Sequence, residues 1–167
     1  RLRAALLDIT THPERWDQEI WGHTEAAPEL FTADVSAGKW PCGTACCLAG
    51  NIAIRERMVI GIPDTSTGMT QTALQITDEG QRLIASERTG LPWDDSENGG
   101  DFAGLGAALL GLSRISAVFL FKADHSLLDL WEMADYYTEG RVTLPDELRE
   151  SVHRIDEALT TGRTDAA

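Results

Sequence analysis

Three cysteines carry the clearest chemical potential in this chain, and all three fall in one short string, Trp40-Pro41-Cys42-Gly43-Thr44-Ala45-Cys46-Cys47-Leu48-Ala49-Gly50. An apolar stripe through Ala45, Leu48, Ala49, Ile52 and Ala53 predicts a helix over residues 43–58. Cys42 would then precede a helix start, where the positive end of the dipole and unpaired N–H groups lower a thiol's pKa and suit it to nucleophilic attack. A nucleophilic cysteine also needs an imidazole beside it. The chain has four histidines, His12, His23, His125 and His153, of which His12 and His23 lie upstream of the cysteine string and are the candidates to serve Cys42. Cys42 and Cys46, spaced C-x3-C, could also join His12 and His23 around zinc, but a second pair of closely spaced ligands, as structural zinc sites usually have, is missing. The simpler expectation is that Cys46 and Cys47, inside the helix, fill space as small apolar side chains.

Two acidic groupings come next. Asp94, Ser96, Asn98 and Gly99 match the first half of a calcium loop, yet its twelfth position is Leu105, where a bidentate Glu is required. Glu132, Asp135 and Glu139 share a helical spacing that a solvated face explains. Phosphate-loop, nucleophile-elbow, zinc-protease and dinucleotide-binding motifs are absent from the sequence. No cofactor is expected.

The elements that must position these residues read as helical. The chain has 167 residues, 43% of them hydrophobic, enough for one domain with its own core. Leu2, Ala5, Leu6 and Ile9 mark a first helix, and residues 12–41 read as a long irregular segment anchored by Trp16, Trp21, Phe31 and Trp40. Residues 61–77 read as a loop, closed by Thr77 as the N-cap of a helix reaching Arg88. Further helices are predicted over Asp101–Leu110, from Ser113 with Ile115, Val118 and Phe119 facing the core, from Ser126 with Leu127, Leu130, Trp131 and Ala134 facing inward, and from Thr143 with Leu148, Val152, Ile155 and Leu159 as its stripe. Short strands over Val59–Ile62 and Arg141–Leu144 could pair, but alternation is too brief to require them. The expected fold is all-α: one compact domain over residues 1–167, a bundle of about six to seven helices.

Net charge is −13, from 14 basic and 27 acidic side chains. Residues 61–112 are the most one-sided, with two basic and eight acidic. Clustered Lys and Arg, which nucleic-acid and anionic-membrane binding both need, are not evident, whereas a basic protein partner is electrostatically allowed. Apolar runs are too short to cross a bilayer, and no basic-then-apolar leader is visible. A clustered, odd set of cysteines points to a reducing cytoplasm. Twelve Arg against two Lys suggest a GC-rich genome.

The chain resembles a group of small bacterial and actinophage proteins. The resemblance rests on His12-Pro13-Glu14-x-Trp16-Asp17-Gln18, on the string from Cys42 to Gly50, and on Leu110-Gly111-Leu112, Leu120-Phe121 and Ser126-Leu127-x-Asp129-Leu130. It implies a source and no activity. The Cys-Gly-Thr-x-Cys string is also similar to the opening of papain-like proteases, though the rest of that signature is absent. His12 or Trp16 is expected to contact residues 42–44, with Gly22 part of the same unit.

Three functions follow as expectations. The first is a non-enzymatic, cytoplasmic helical protein that binds another protein, in a host-directed or accessory role if phage-encoded. The second is a Cys42-dependent hydrolase or transferase. The third is an acidic mimic of nucleic acid that blocks a DNA-binding enzyme.

Overall fold

Helix α3 (Leu48–Arg55) is apolar but for Asn51 and its last residue, Arg55, and every residue from Leu48 to Ile54 is buried. A helix of that composition must be surrounded, and it is. Helix α1 (Leu2–Thr11) and helix α5 (Phe102–Leu110) lie against it. Helix α7 (Leu127–Tyr137) packs on α1, and helix α8 (Arg149–Thr164) packs on α7. Helices α2 (Pro28–Ser36), α4 (Asp78–Glu87) and α6 (Arg114–Leu120) are the remaining α-helices among the described residues. The computed structural model describes residues 1–18, 22–64, 71–87 and 102–164.

The chain is not all-α. It is a mixed α/β fold with a four-stranded antiparallel sheet, ordered β2-β1-β4-β3, beside the helices. The strands are β1 (His23–Thr24), β2 (Thr44–Ala45), β3 (Val59–Asp64) and β4 (Gln71–Ile76). Segment 59–62 is extended as anticipated, but its partner is β4, with Val59 opposite Ile76 and Asp64 opposite Gln71. Residues 141–144 form no strand. Much of the expected 61–77 loop is therefore sheet, ending at Thr77, which does cap the next helix by accepting from Gly80 N–H at 3.2 Å.

The irregular N-terminal segment also contains structure. A 3-10 turn covers Pro13–Arg15 and α2 covers nine residues, with Pro28 in its first turn. Helix α2 lies along β3 so closely that a Cβ on Gly61 would stand 2.9 Å from the carbonyl oxygen of Pro28. The helix foreseen over 43–58 begins only at Leu48: the backbone is extended at Thr44–Ala45, and Cys47 is the N-cap. Pro145, not Thr143, opens the last helical segment, a 3-10 turn at Asp146–Leu148 that runs into α8. Helix α7 follows the sequence pattern, with Leu127, Leu130, Trp131 and Ala134 all buried.

Helix α6 is the largest departure. Ser113 caps it as anticipated, but the expected core face points outward. Ile115 is 71% exposed, Val118 53% and Phe119 55%. Ala117, Leu120 and the following Phe121 are buried instead. Both sides of this short helix are apolar, and Phe121 inserts against Gly106 of α5, where a Cβ would come within 2.7 Å of its ring.

Candidate functional site

The segments His12–Gln18 and Cys42–Gly50 form one structural unit. Trp16 makes a parallel β-bridge to Cys46: Cys46 N–H donates to the carbonyl of Arg15 at 3.0 Å, and Asp17 N–H donates to the carbonyl of Cys46 at 3.1 Å. Gly22 lies against the same residue, since a Cβ there would stand 3.2 Å from that of Cys46. Gln18 closes the unit. Its Oε1 accepts from the Trp16 indole and from Leu48 N–H, both at 3.1 Å, while its Nε2 donates to the carbonyl of Lys122 at 3.1 Å. The expected contact at residues 42–44 is thus displaced to residues 46–48 and is made by Trp16 and Gln18. His12 instead turns to Asp8, its Nδ1 lying 3.7 Å from the carboxylate.

The thiols separate into two environments. Cys46 and Cys47 are buried in the core. Desolvation pushes Cys46 well above its ordinary pKa, and Cys47 to about 11. Cys42 is exposed, in a turn. The helix start invoked to activate it belongs to Cys47, whose sulfur accepts from Gly50 N–H at 3.5 Å. The reason is local: Gly43 takes a positive φ of 66° and leads into an extended pair that hydrogen-bonds to β1. His23 is exposed on β1 and stands opposite Ala45. Among the described residues, no group of three or more His, Cys, Asp or Glu side chains is placed to hold a metal. The Asp94–Asp101 loop lies outside the described residues.

His125, at the entrance to α7, sits among several acidic and aromatic side chains. Its Nε2 donates to the carbonyl of Phe119 at 2.6 Å, tying it to the end of α6. His125 lines two hollows. One, of about 420 Å³, includes Trp16, Asp17, Asp124, Asp156 and Leu159. The other, of about 250 Å³, includes Asp129, Glu132, Met133, Tyr136 and Tyr137.

The carboxylates differ in their engagement. Asp156 accepts from Leu127 N–H at 2.7 Å and from Leu128 N–H at 3.0 Å, satisfying the first turn of α7. Asp129 forms a capping box with Ser126. Asp124 accepts from Lys122 Nζ at 2.7 Å, a hydrogen bond that holds its carboxyl below the usual range. Glu132 makes no hydrogen bond or ion pair among the described residues.

Large apolar groups accompany this charge. Tyr136 is 79% exposed and packs edge-on against Tyr137. Ile115, Val118 and Phe119 lie on α6 at i, i+3 and i+4, so their side chains share one helix face. Single exposed apolar residues are ordinary, but three on one face of a seven-residue helix form a contiguous patch. Sequence reasoning missed this patch because the same spacing also describes a core stripe. What could have flagged it is the second apolar set, Ala117, Leu120 and Phe121, on a helix too short to bury both. No family model, curated protein or solved structure matches the chain.

Proposed function

We propose that this chain is a protein-binding module whose partner seats an apolar centre on α6 and a rim of Lys and Arg side chains in the acidic hollows around His125. The observation that carries the reading is the outward face of Ile115, Val118 and Phe119. Burying such a face in a complex supplies non-directional affinity, while complementary charge sets orientation and speeds encounter. Asp17, Asp124, Asp129, Glu132 and Asp156 give the hollows a negative lining. A second copy of the chain is the poorer occupant, because association would bring two bodies of charge −13 together. In the setting that the resemblance implies, such a module fits a host-directed or accessory role.

The test places a photo-reactive phenylalanine analogue at position 119 and captures partners from the source cells, beside the same chain carrying Ile115→Asp and Val118→Asp. The reading expects a discrete cross-linked protein that is lost with the double substitution, weakened by Glu132→Lys, and weakened as salt is raised past about 0.5 M. Capture that survives the double substitution, or a product that is only a second copy of this chain, contradicts it.

A further inference from the structure

A third cavity, of about 340 Å³, carries the opposite charge. Arg15, Lys39, Arg55 and Arg57 line it together with Trp40, and Asp8 is its only acid. Four of the chain's 14 basic side chains, including one of its two lysines, thus converge in a protein of net charge −13. The sequence hides the cluster because its members come from a 3-10 turn and from the ends of two helices. Asp8 is already engaged: its Oδ1 lies 3.0 Å from Arg15 and 3.5 Å from Arg55, and its Oδ2 accepts from Asn51 at 3.1 Å. Lys39 and Arg57 make no ion pair among the described residues.

The ends of two helices deliver these two cations to one cavity. Helices α2 and α3 end in the same motif. In α2, Gly38 N–H donates to Val35 and Lys39 N–H to Asp34; in α3, Arg57 N–H donates to Ile54 and Met58 N–H to Ala53. The residue after the cap must take a positive φ, and glycine is usual there. Gly38 obeys, at 72°, but α3 places Arg57 in that position at 60°. A residue with a Cβ is strained in that region, and among the described non-glycine residues only Glu139, at 53° at the end of α7, shares it. The missing side chain at Gly38 also makes room, since a Cβ there would stand 2.8 Å from the Arg57 guanidinium. Compensation of the helix dipole accounts for Arg55 in the last turn of α3 and leaves the strained Arg57 unexplained.

We infer that this cavity is a binding site for a small phosphate-bearing anion, with Lys39 and Arg57 as its free cationic contacts and Arg15 and Arg55, steadied by Asp8, as its floor. Arginine matches phosphate oxygens in pairs, and a cleft lined by one sign of charge concentrates the field on its ligand. Arg15 is oriented over the Trp40 ring at 5.3 Å, so its fork is preorganised. The site shares no residue with the hollows around His125.

Calorimetric titration of the full chain with inorganic pyrophosphate, at about 50 mM salt, tests the assignment. Saturable one-to-one binding is expected, weakened roughly tenfold or more by Lys39→Ala and by Arg57→Gly, as loss of a charge-assisted contact implies. Arg149→Ala, outside the cavity, is expected to bind as the parent does. Arg57→Gly supplies the residue that the helix end favours, so its Tm is expected to hold or rise and lost binding cannot be put down to unfolding. Absence of saturable binding, unchanged affinity in either cavity variant, or equal weakening by Arg149→Ala overturns the proposal.

Discussion

The Oε1 atom of Gln18 lies 3.1 Å from the backbone nitrogen of Leu48, the first residue of α3. A side chain from the N-terminal segment therefore satisfies a helix that begins far along the sequence, and the same oxygen holds the Trp16 indole. Gln18 is buried, so removing its amide strands the indole and the Leu48 N–H and takes the partner from the Lys122 carbonyl. Gln18→Leu is expected to lower stability by about 2–4 kcal/mol, from several buried polar groups left unpaired. Urea denaturation followed by tryptophan fluorescence measures it. A loss below about 0.5 kcal/mol, the scale of a neutral surface change, would show that these bonds do not hold the unit together.

Gly106 and Phe121 make a second dependency. A Cβ at position 106 would lie 2.7 Å from the ring and 3.4 Å from Ala49 of α3. Gly106→Ala is expected to destabilise by about 1–3 kcal/mol through overpacking, despite alanine's better helix propensity. Combining it with Phe121→Leu, which frees the space that the ring occupies, is expected to recover part of the loss. Additive penalties in the double variant would mean that ring and glycine are not in contact.

The buried thiols give the fold a pH dependence on the alkaline side. Burial raises Cys46 well above 9.0 and Cys47 to about 11, while an unfolded chain leaves both near their ordinary values. The folded state therefore binds more protons in that range. The stability associated with the neutral thiols is complete below pH 9.0 and is lost as pH rises through about 11. Cys47→Ser keeps a side chain able to cap α3 and removes one titrating thiol, so its unfolding free energy is expected to fall less steeply over that interval. Mass spectrometry after iodoacetamide treatment gives a companion result: Cys42 alkylates in the folded chain, and Cys46 and Cys47 only on unfolding. Modification of all three at equal rates would contradict the burial.

Sequence legibility varied with how much each pattern excluded. In α7 the stripe Leu127, Leu130, Trp131 and Ala134 admits one buried face, because Asp129, Glu132 and Asp135 occupy the other, and the helix was readable. Helix α6 offers apolar residues on both sides, so spacing gives a period without a direction. The sheet was missed because β1 and β2 are two residues long and β3 contains Pro63, which favours an edge position. The cysteine string misled for a different reason. Its small apolar residues continue the α3 stripe backward, but the bonds from Arg15 and Asp17 draw Cys46 into a bridge that no local pattern encodes. The unit formed by Trp16 with the cysteine string was legible as an association, while its register and its hub, Gln18, were not. Hollows assembled from α7, α8, the residues just before α7 and the N-terminal segment lie beyond any local reading.

The account rests on the outward face of α6 being an open surface, free of any part in the core. Equilibrium unfolding of a double variant, Ile115→Asp with Phe119→Asp, tests this most directly. The account predicts a free energy within about 1 kcal/mol of the parent, since exposed substitutions each fall within roughly ±0.5 kcal/mol. A loss of about 4 kcal/mol or more, the scale of a charge placed in a packed interior, would show that these side chains belong to the core and would remove the proposed binding surface.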